Sequence, residues 1–103
     1  MVFYDSIVGE EMYFAKYVYK MKLLDSFSLK DKRSIRRSII SKIQNKFKVS
    51  IAEVEDADIH NVLCLAGANV SYSRHILEKA YYEILDLIET YELEVYDTYY
   101  EEF

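Results

Sequence analysis

From Ser28 to Lys48 the chain runs without a glycine or proline and returns an apolar side chain every fourth position, at Ile35, Ile39, Ile43 and Phe47. Leu29 and Ile40 flank that stripe. The spacing predicts a helix with a single apolar face, which has to be covered by something. Ser28 is a good N-cap with an acidic residue three positions on, at Asp31. Lys30, Arg33, Arg37, Gln44 and Lys48 fall on the opposite side of the wheel. Arg36 lies within the apolar arc, where its aliphatic stem is expected to carry the charge outward. Ser34, Ser38, Ser41 and Asn45 make a separate small polar stripe, read as a surface that a neighbouring helix can approach.

The flanking segments supply the cover. Met12 to Leu24 alternates, with Tyr13, Ala15, Tyr17, Tyr19, Met21 and Leu23 as the set expected to face the helices. Phe14, Lys16, Val18, Lys20 and Lys22 are left for the open side. After a turn at 25–27 and the helix, Val49 to Glu55 reads as a second strand. Asp56 to Asp58 is then a turn in which Asp side chains bond their own backbone. Asn61 to Val70 is a third strand whose facing stays open, since Val62, Cys64, Ala66, Ala68 and Val70 compete with Leu63 and Leu65.

Ser71 and Ser73 compete to cap a second helix running to about Tyr91, with Ile76, Ala80, Ile84 and Ile88 joined by Leu77, Tyr81 and Leu85. Its wet face, Glu78, Lys79, Tyr82, Glu83, Asp86 and Glu89, is as acidic as the first helix is basic. Leu93 to Tyr100 reads as the last strand, followed by a frayed tail at 101–103. Two β-α-β units joined by a short turn predict an α+β domain, a four-stranded antiparallel sheet backed by two helices.

Charge is distributed along this order unevenly. Residues 28–48 hold eight Lys or Arg against one Asp, a net +7, while residues 49–103 sum to −11 within a whole-chain charge of −5. A charge run is ordinarily a solvated face, but an imbalance confined to one helix also fits a phosphate-bearing or acidic partner. The candidate contacts are Lys30, Arg33, Arg37 and Lys48, with Lys32 and Arg36 assisting from the edges.

The S-L-K-D-K-R-S run at Ser28 to Ser34, then Asn45-Lys46-Phe47-Lys48-Val49-Ser50 and A-E-V-E-D-A-D at Ala52 to Asp58, resembles the YlxP-like family, also called domain of unknown function 503. The likeness covers roughly Met12 to the C-terminus. It implies a small bacterial cytoplasmic protein with a ferredoxin-like β-α-β-β-α-β fold, and brings no established activity. Family members are commonly encoded near translation initiation and ribosome-binding factors, which implies a ribosomal RNA or ribosome-associated protein partner. His60 stands where the family usually has a tryptophan, and Arg36 where it has an apolar residue. Residues 1–11 precede the usual family start and are read as a leader to a single domain at 12–103.

Other chemistry finds little footing. Pro is absent and Gly occurs only at Gly9 and Gly67, so no glycine loop exists to cradle a phosphate. Cys64 is the only cysteine; it excludes an internal disulfide and, lacking a neighbouring base, reads as a small buried apolar residue. No apolar run approaches the roughly 20 residues that span a bilayer, and Met1 to Gly9 lacks the basic start of a secretory signal. Glu53, Glu55, Asp56, Asp58 and His60 are the densest ligand group, yet a strand face and a turn do not converge on a metal. Neither a catalytic residue nor a cofactor is expected.

The open sheet face offers a second surface. Phe14, Tyr96 and Tyr100 beside Lys16, Lys20 and Lys22 make a candidate platform for stacking bases, although the glycine-rich aromatic signature of RNA-recognition domains is missing. With Val49 and Ile51 on the same side, that face fits a homodimer or a protein partner equally well.

Overall fold

Strict alternation places strand β1 at Tyr13–Leu23, and the remaining elements follow as α1 Leu29–Lys46, β2 Ser50–Glu55, β3 Val62–Ser71, α2 Arg74–Ile88 and β4 Leu93–Glu102. This computed structural model describes residues 12–24 and 28–103; the leader expected at 1–11 and the turn expected at 25–27 lie outside the described residues. The sheet order is β2-β3-β1-β4 with every neighbouring pair antiparallel, which is the ferredoxin-like α+β arrangement.

Ser28 closes a capping box on α1: its hydroxyl accepts from the Asp31 amide at 3.2 Å, and the Asp31 carboxylate accepts from the Ser28 amide at 3.1 Å. Ile39 and Ile43 are buried, with Ile35, Ile40 and Phe47 packed against them. On α2 the buried residues are Leu77, Ala80, Tyr81, Ile84 and Ile88. Ile76, expected in that stripe, is exposed, and the helix ends at Ile88 rather than Tyr91. Tyr91 instead places its hydroxyl 2.7 Å from Ser38 Oγ. Ser34, Ser41 and Asn45 face solvent, so the small polar stripe of α1 is not a helix-packing surface.

The set Ala15, Tyr17, Tyr19, Met21 and Leu23 is buried, as the alternation of β1 predicts. On β3 the register settles the open question. Leu63, Leu65 and Gly67 pair with Met21, Tyr19 and Tyr17 and face the helices, while Val62, Cys64, Ala66, Ala68 and Val70 face away. Gly67 is required by close approach, because a Cβ there would run into the Tyr17 ring lying across it. Ile51 is buried in the helix-side core and Val49 packs against it, so neither joins the open face.

Four tyrosines organise the core end of the sheet. Tyr81 stacks on Tyr19 with centroids 5.5 Å apart and meets Tyr100 at 5.0 Å, and Tyr17 lies parallel to Tyr100 at 6.3 Å. Their hydroxyls are satisfied internally: Tyr19 donates to the Tyr81 carbonyl at 2.8 Å, Tyr81 to Thr98 Oγ1 at 2.8 Å, and Tyr17 to Asn69 Oδ1 at 3.1 Å. Burial pushes the Tyr17 and Tyr100 phenols up to about 12 and raises Tyr19 further.

The C-terminal tail is not frayed. Because β1 is long enough to offer Phe14 as a partner, Phe103 exchanges both backbone hydrogen bonds with it, at 3.1 and 2.7 Å, and the two rings stack at 4.7 Å.

Candidate functional site

The basic helix divides into cations turned inward and cations left outside. Lys32 stands seven positions before Ile39 and eleven before Ile43, which puts it on the apolar arc, and its side chain is entirely buried. The ammonium donates to the carbonyls of Asp56 at 2.6 Å, Ile59 at 2.8 Å and Ala57 at 3.3 Å, so its three hydrogens are all used. Glu53 Oε2 lies 2.9 Å away, held by charge while lacking a hydrogen bond of its own. Arg36 closes the group, with Nη1 donating to Glu53 Oε1 at 3.0 Å.

This arrangement corrects the expectation that Lys32 and Arg36 assist an outer binding surface. Lys32 has no surface to offer, and the Arg36 charge is spent on a buried carboxylate. The pair instead fastens α1 to the β2–β3 turn, where Asp56 adopts a left-handed φ of 57° that Asp tolerates better than most residues.

Outside, Lys30, Arg33, Arg37 and Lys48 are exposed, and none pairs with a carboxylate among the described residues. Ser34, Ser41, Gln44 and Asn45 are interleaved with them on the same solvent side, and all are exposed. The only acidic residue on the helix, Asp31, is engaged in the capping box. Lys42 and Lys46, which sequence reasoning did not select, are also exposed. Lys42 sits 4.9 Å above the Tyr91 ring, and Lys46 lines a groove of 420 Å³ with Glu83, Asp86, Leu87 and Thr90 of the α2 side.

The open sheet face carries Phe14, Lys16, Val18, Lys20 and Lys22 as expected, but two of its three lysines are paired. Lys16 reaches Glu101 at 3.5 Å, Lys20 reaches Glu55 at 3.8 Å, and Lys22 stands opposite Glu94 in the register. The two tyrosines assigned to this face are not on it. A bulge between Lys20 and Met21 makes Tyr96 the extra residue and reverses the facing of everything after it. Tyr100 therefore opposes Tyr17 on the helix side, and Tyr96 lines an edge depression with Leu85 and Glu89. The tyrosine that does reach the open face is Tyr99, opposite Val18. Its hydroxyl donates to Glu101.

A second bulge, at Val54, separates the acidic group. Glu53 points to Lys32 on the helix side, while Glu55 pairs across to Cys64 on the open face. Among the described residues no three His, Cys, Asp or Glu side chains gather as a metal site. Cys64 is buried beneath Lys20 and Glu55; burial, then the Glu55 charge, pushes its thiol up. No helix among the described residues is long and apolar enough to cross a membrane.

A family model described as a protein of unknown function, DUF503, matches residues 15–100. The chain belongs to the DUF503 family. A similar DUF503 relative, the uncharacterized protein YlxP of Bacillus subtilis (strain 168), is 37% identical over 69 residues, covering 67% of this chain and 75% of that protein. Among solved structures, a point mutant of SnoaB, a cofactor-independent oxygenase from Streptomyces nogalater, aligns with 87% of this chain and 90% of its own at a TM-score of 0.48 and 7% identity. Within this DUF503 chain, the two sequence blocks around Ser28 to Ser34 and Ala52 to Asp58 meet in space. Lys32 of the first block lies against Glu53, Asp56 and Ala57 of the second. Arg36 pairs with the same Glu53, whereas His60 is exposed at the turn.

Proposed function

We propose that this protein is a non-enzymatic cytoplasmic accessory factor that binds the phosphate backbone of structured RNA, in the first instance ribosomal RNA, through the outer face of α1. The observation that carries the reading is the exposed arc of Lys30, Arg33 and Arg37. That arc is interleaved with Ser34, Ser41, Gln44 and Asn45, Lys48 is exposed just past the helix end, and none of the four cations has a carboxylate partner among the described residues. Guanidinium groups grip phosphate bidentately, and hydroxyl and amide side chains supply the uncharged contacts that fix position on a backbone. The remainder of the chain is strongly acidic, so a polyanion is repelled from everything except this helix and approaches in one orientation. Groups with chemical potential are engaged elsewhere: Glu53 holds Lys32 and Arg36, and Cys64 lies covered.

Co-sedimentation with ribosomal particles over a salt series tests this. Each phosphate contact contributes about 0.7–0.9 to the slope of log affinity against log salt, so three contacts predict a loss of about 20- to 40-fold between 50 and 200 mM salt. Arg33→Glu with Arg37→Glu should remove most of that slope while the fold is retained. Co-sedimentation that the double reversal leaves unchanged removes the proposal.

A further inference from the structure

We propose that the open face of the sheet is covered by a second copy of this chain, related by a two-fold axis running along the seam between β1 and β3. The face is stepped. On the β1 side of the seam stand Phe14, Lys16, Val18, Lys20 and Lys22; on the β3 side, level by level, stand Val70, Ala68, Ala66, Cys64 and Val62. The step continues outward, since Tyr99 lies beyond Val18 on β4 and Ala52 beyond Ala66 on β2. A closed dimer presents the same patch from both copies, so the patch must complement itself under the rotation. Turning the face over about the β1–β3 seam lays each tall residue of one copy on the short residue at the same level of the other. Val18 then meets Ala66 of the second copy, and Tyr99 meets Ala52 of the second copy. Sheets that stack face to face cross at about 30°, so the match is closest near the axis, at the Val18 and Ala66 level.

Charge selects the same axis. A two-fold running across the strands at the Val18 level would stack β1 on β1 in reverse order and bring Lys16 of each copy against Lys20 of the other. The seam axis instead sets those lysines over the neutral β3 column, with Lys16 and Lys20 already paired to Glu101 and Glu55 within their own copy. The paired lysines also leave this face with little to attract a polyanion. Apolar side chains remain exposed on it, Val70 at 67%, Phe14 at 50% and Phe103 at 49% among them. Strands of 11, 10, 10 and 6 residues, at about 3.3 Å per residue and spaced about 4.8 Å apart, give a footprint of about 600 Å² per copy. Two copies would bury about 1,200 Å² in all, where specific protein interfaces begin. Because α1 packs on the other side of the sheet, both basic helices stay outside the dimer.

Sedimentation equilibrium of the full chain, from micromolar to tenths of millimolar, is the test. The expected particle has twice the 12.3 kDa mass of the chain. Ala68→Arg sets a guanidinium against Lys16 of the second copy and should weaken association about tenfold or more. Val18→Ala and Ala66→Val should each weaken it, and the two combined in one chain should restore it, because they exchange the tall and short members of one level. Arg33→Glu with Arg37→Glu should leave the mass unchanged, which keeps this test separate from RNA binding. If Ala68→Arg does not fold by circular dichroism, the exchange at Val18 and Ala66 decides. A chain that keeps its own mass throughout, whether its face stays bare or is taken by another protein or by RNA, overturns the proposal. So does a dimer that neither Ala68→Arg nor the exchange alters.

Discussion

Replacing Lys32 by methionine keeps nearly the length of the side chain and removes only its ammonium. Three carbonyls, of Asp56, Ala57 and Ile59, then lose their donor, and Glu53 loses one of its two cations. Removing one member of a buried pair generally costs about 3–5 kcal/mol. Arg36 still holds Glu53 at 3.0 Å, so the lower end applies here. A loss of about 3 kcal/mol is a large share of the roughly 5–15 kcal/mol that stabilises a domain of this size. It should lower Tm by about 12–24 °C at about 4–8 °C per kcal/mol. Urea unfolding followed by circular dichroism measures the change. The double variant Lys32→Met with Glu53→Leu removes both ends of the closest contact and should be more stable than the sum of the single losses by about 1–3 kcal/mol. If Lys32→Met falls within about 1 kcal/mol of the parent, or the two losses simply add, the buried group does not fasten α1 to the turn.

Two further outcomes follow from the core. Gly67→Ala drives a methyl into the Tyr17 ring and should cost about 1–3 kcal/mol by the same unfolding assay; a neutral result would mean that the ring swings aside freely. Alkaline titration should separate the tyrosines. The folded phenols of Tyr17 and Tyr100 are raised to about 12, and Tyr19 higher still, above their unfolded value near 10. The unfolded chain therefore loses protons first, so the stability these groups supply is complete below about pH 10 and falls as pH rises toward 12. Phenolate absorbance should show Tyr17, Tyr19 and Tyr100 ionising late, in a cooperative step well above pH 10; their ionisation near pH 10 in the folded chain contradicts the buried cluster.

How far the candidate surface could be read from sequence differs residue by residue. Lys30, Arg33 and Arg37 were found from the wheel, because facing on a helix follows from position once the apolar stripe is known; Lys48, also placed on that wheel, is exposed but lies past the helix end, since α1 stops at Lys46 and Phe47 is extended. The same wheel holds the signal for Lys32, seven residues from Ile39, but a lysine on an apolar arc ordinarily reaches for water. What keeps it inside is a set of carbonyls 24 to 27 residues further along the chain.

Local periodicity, caps and turns thus determined the order of six elements, the buried set of β1 and the stripe of α1, since each is decided by residues within a few positions of one another. Sheet facing beyond β1 was a tertiary decision. One bulged residue exchanges the two sides of a strand, and its place is set only by the strand alongside. Hence Tyr99 replaced Tyr96 and Tyr100 on the open face, Glu53 parted from Glu55, and the tail at Phe103 found its partner in Phe14.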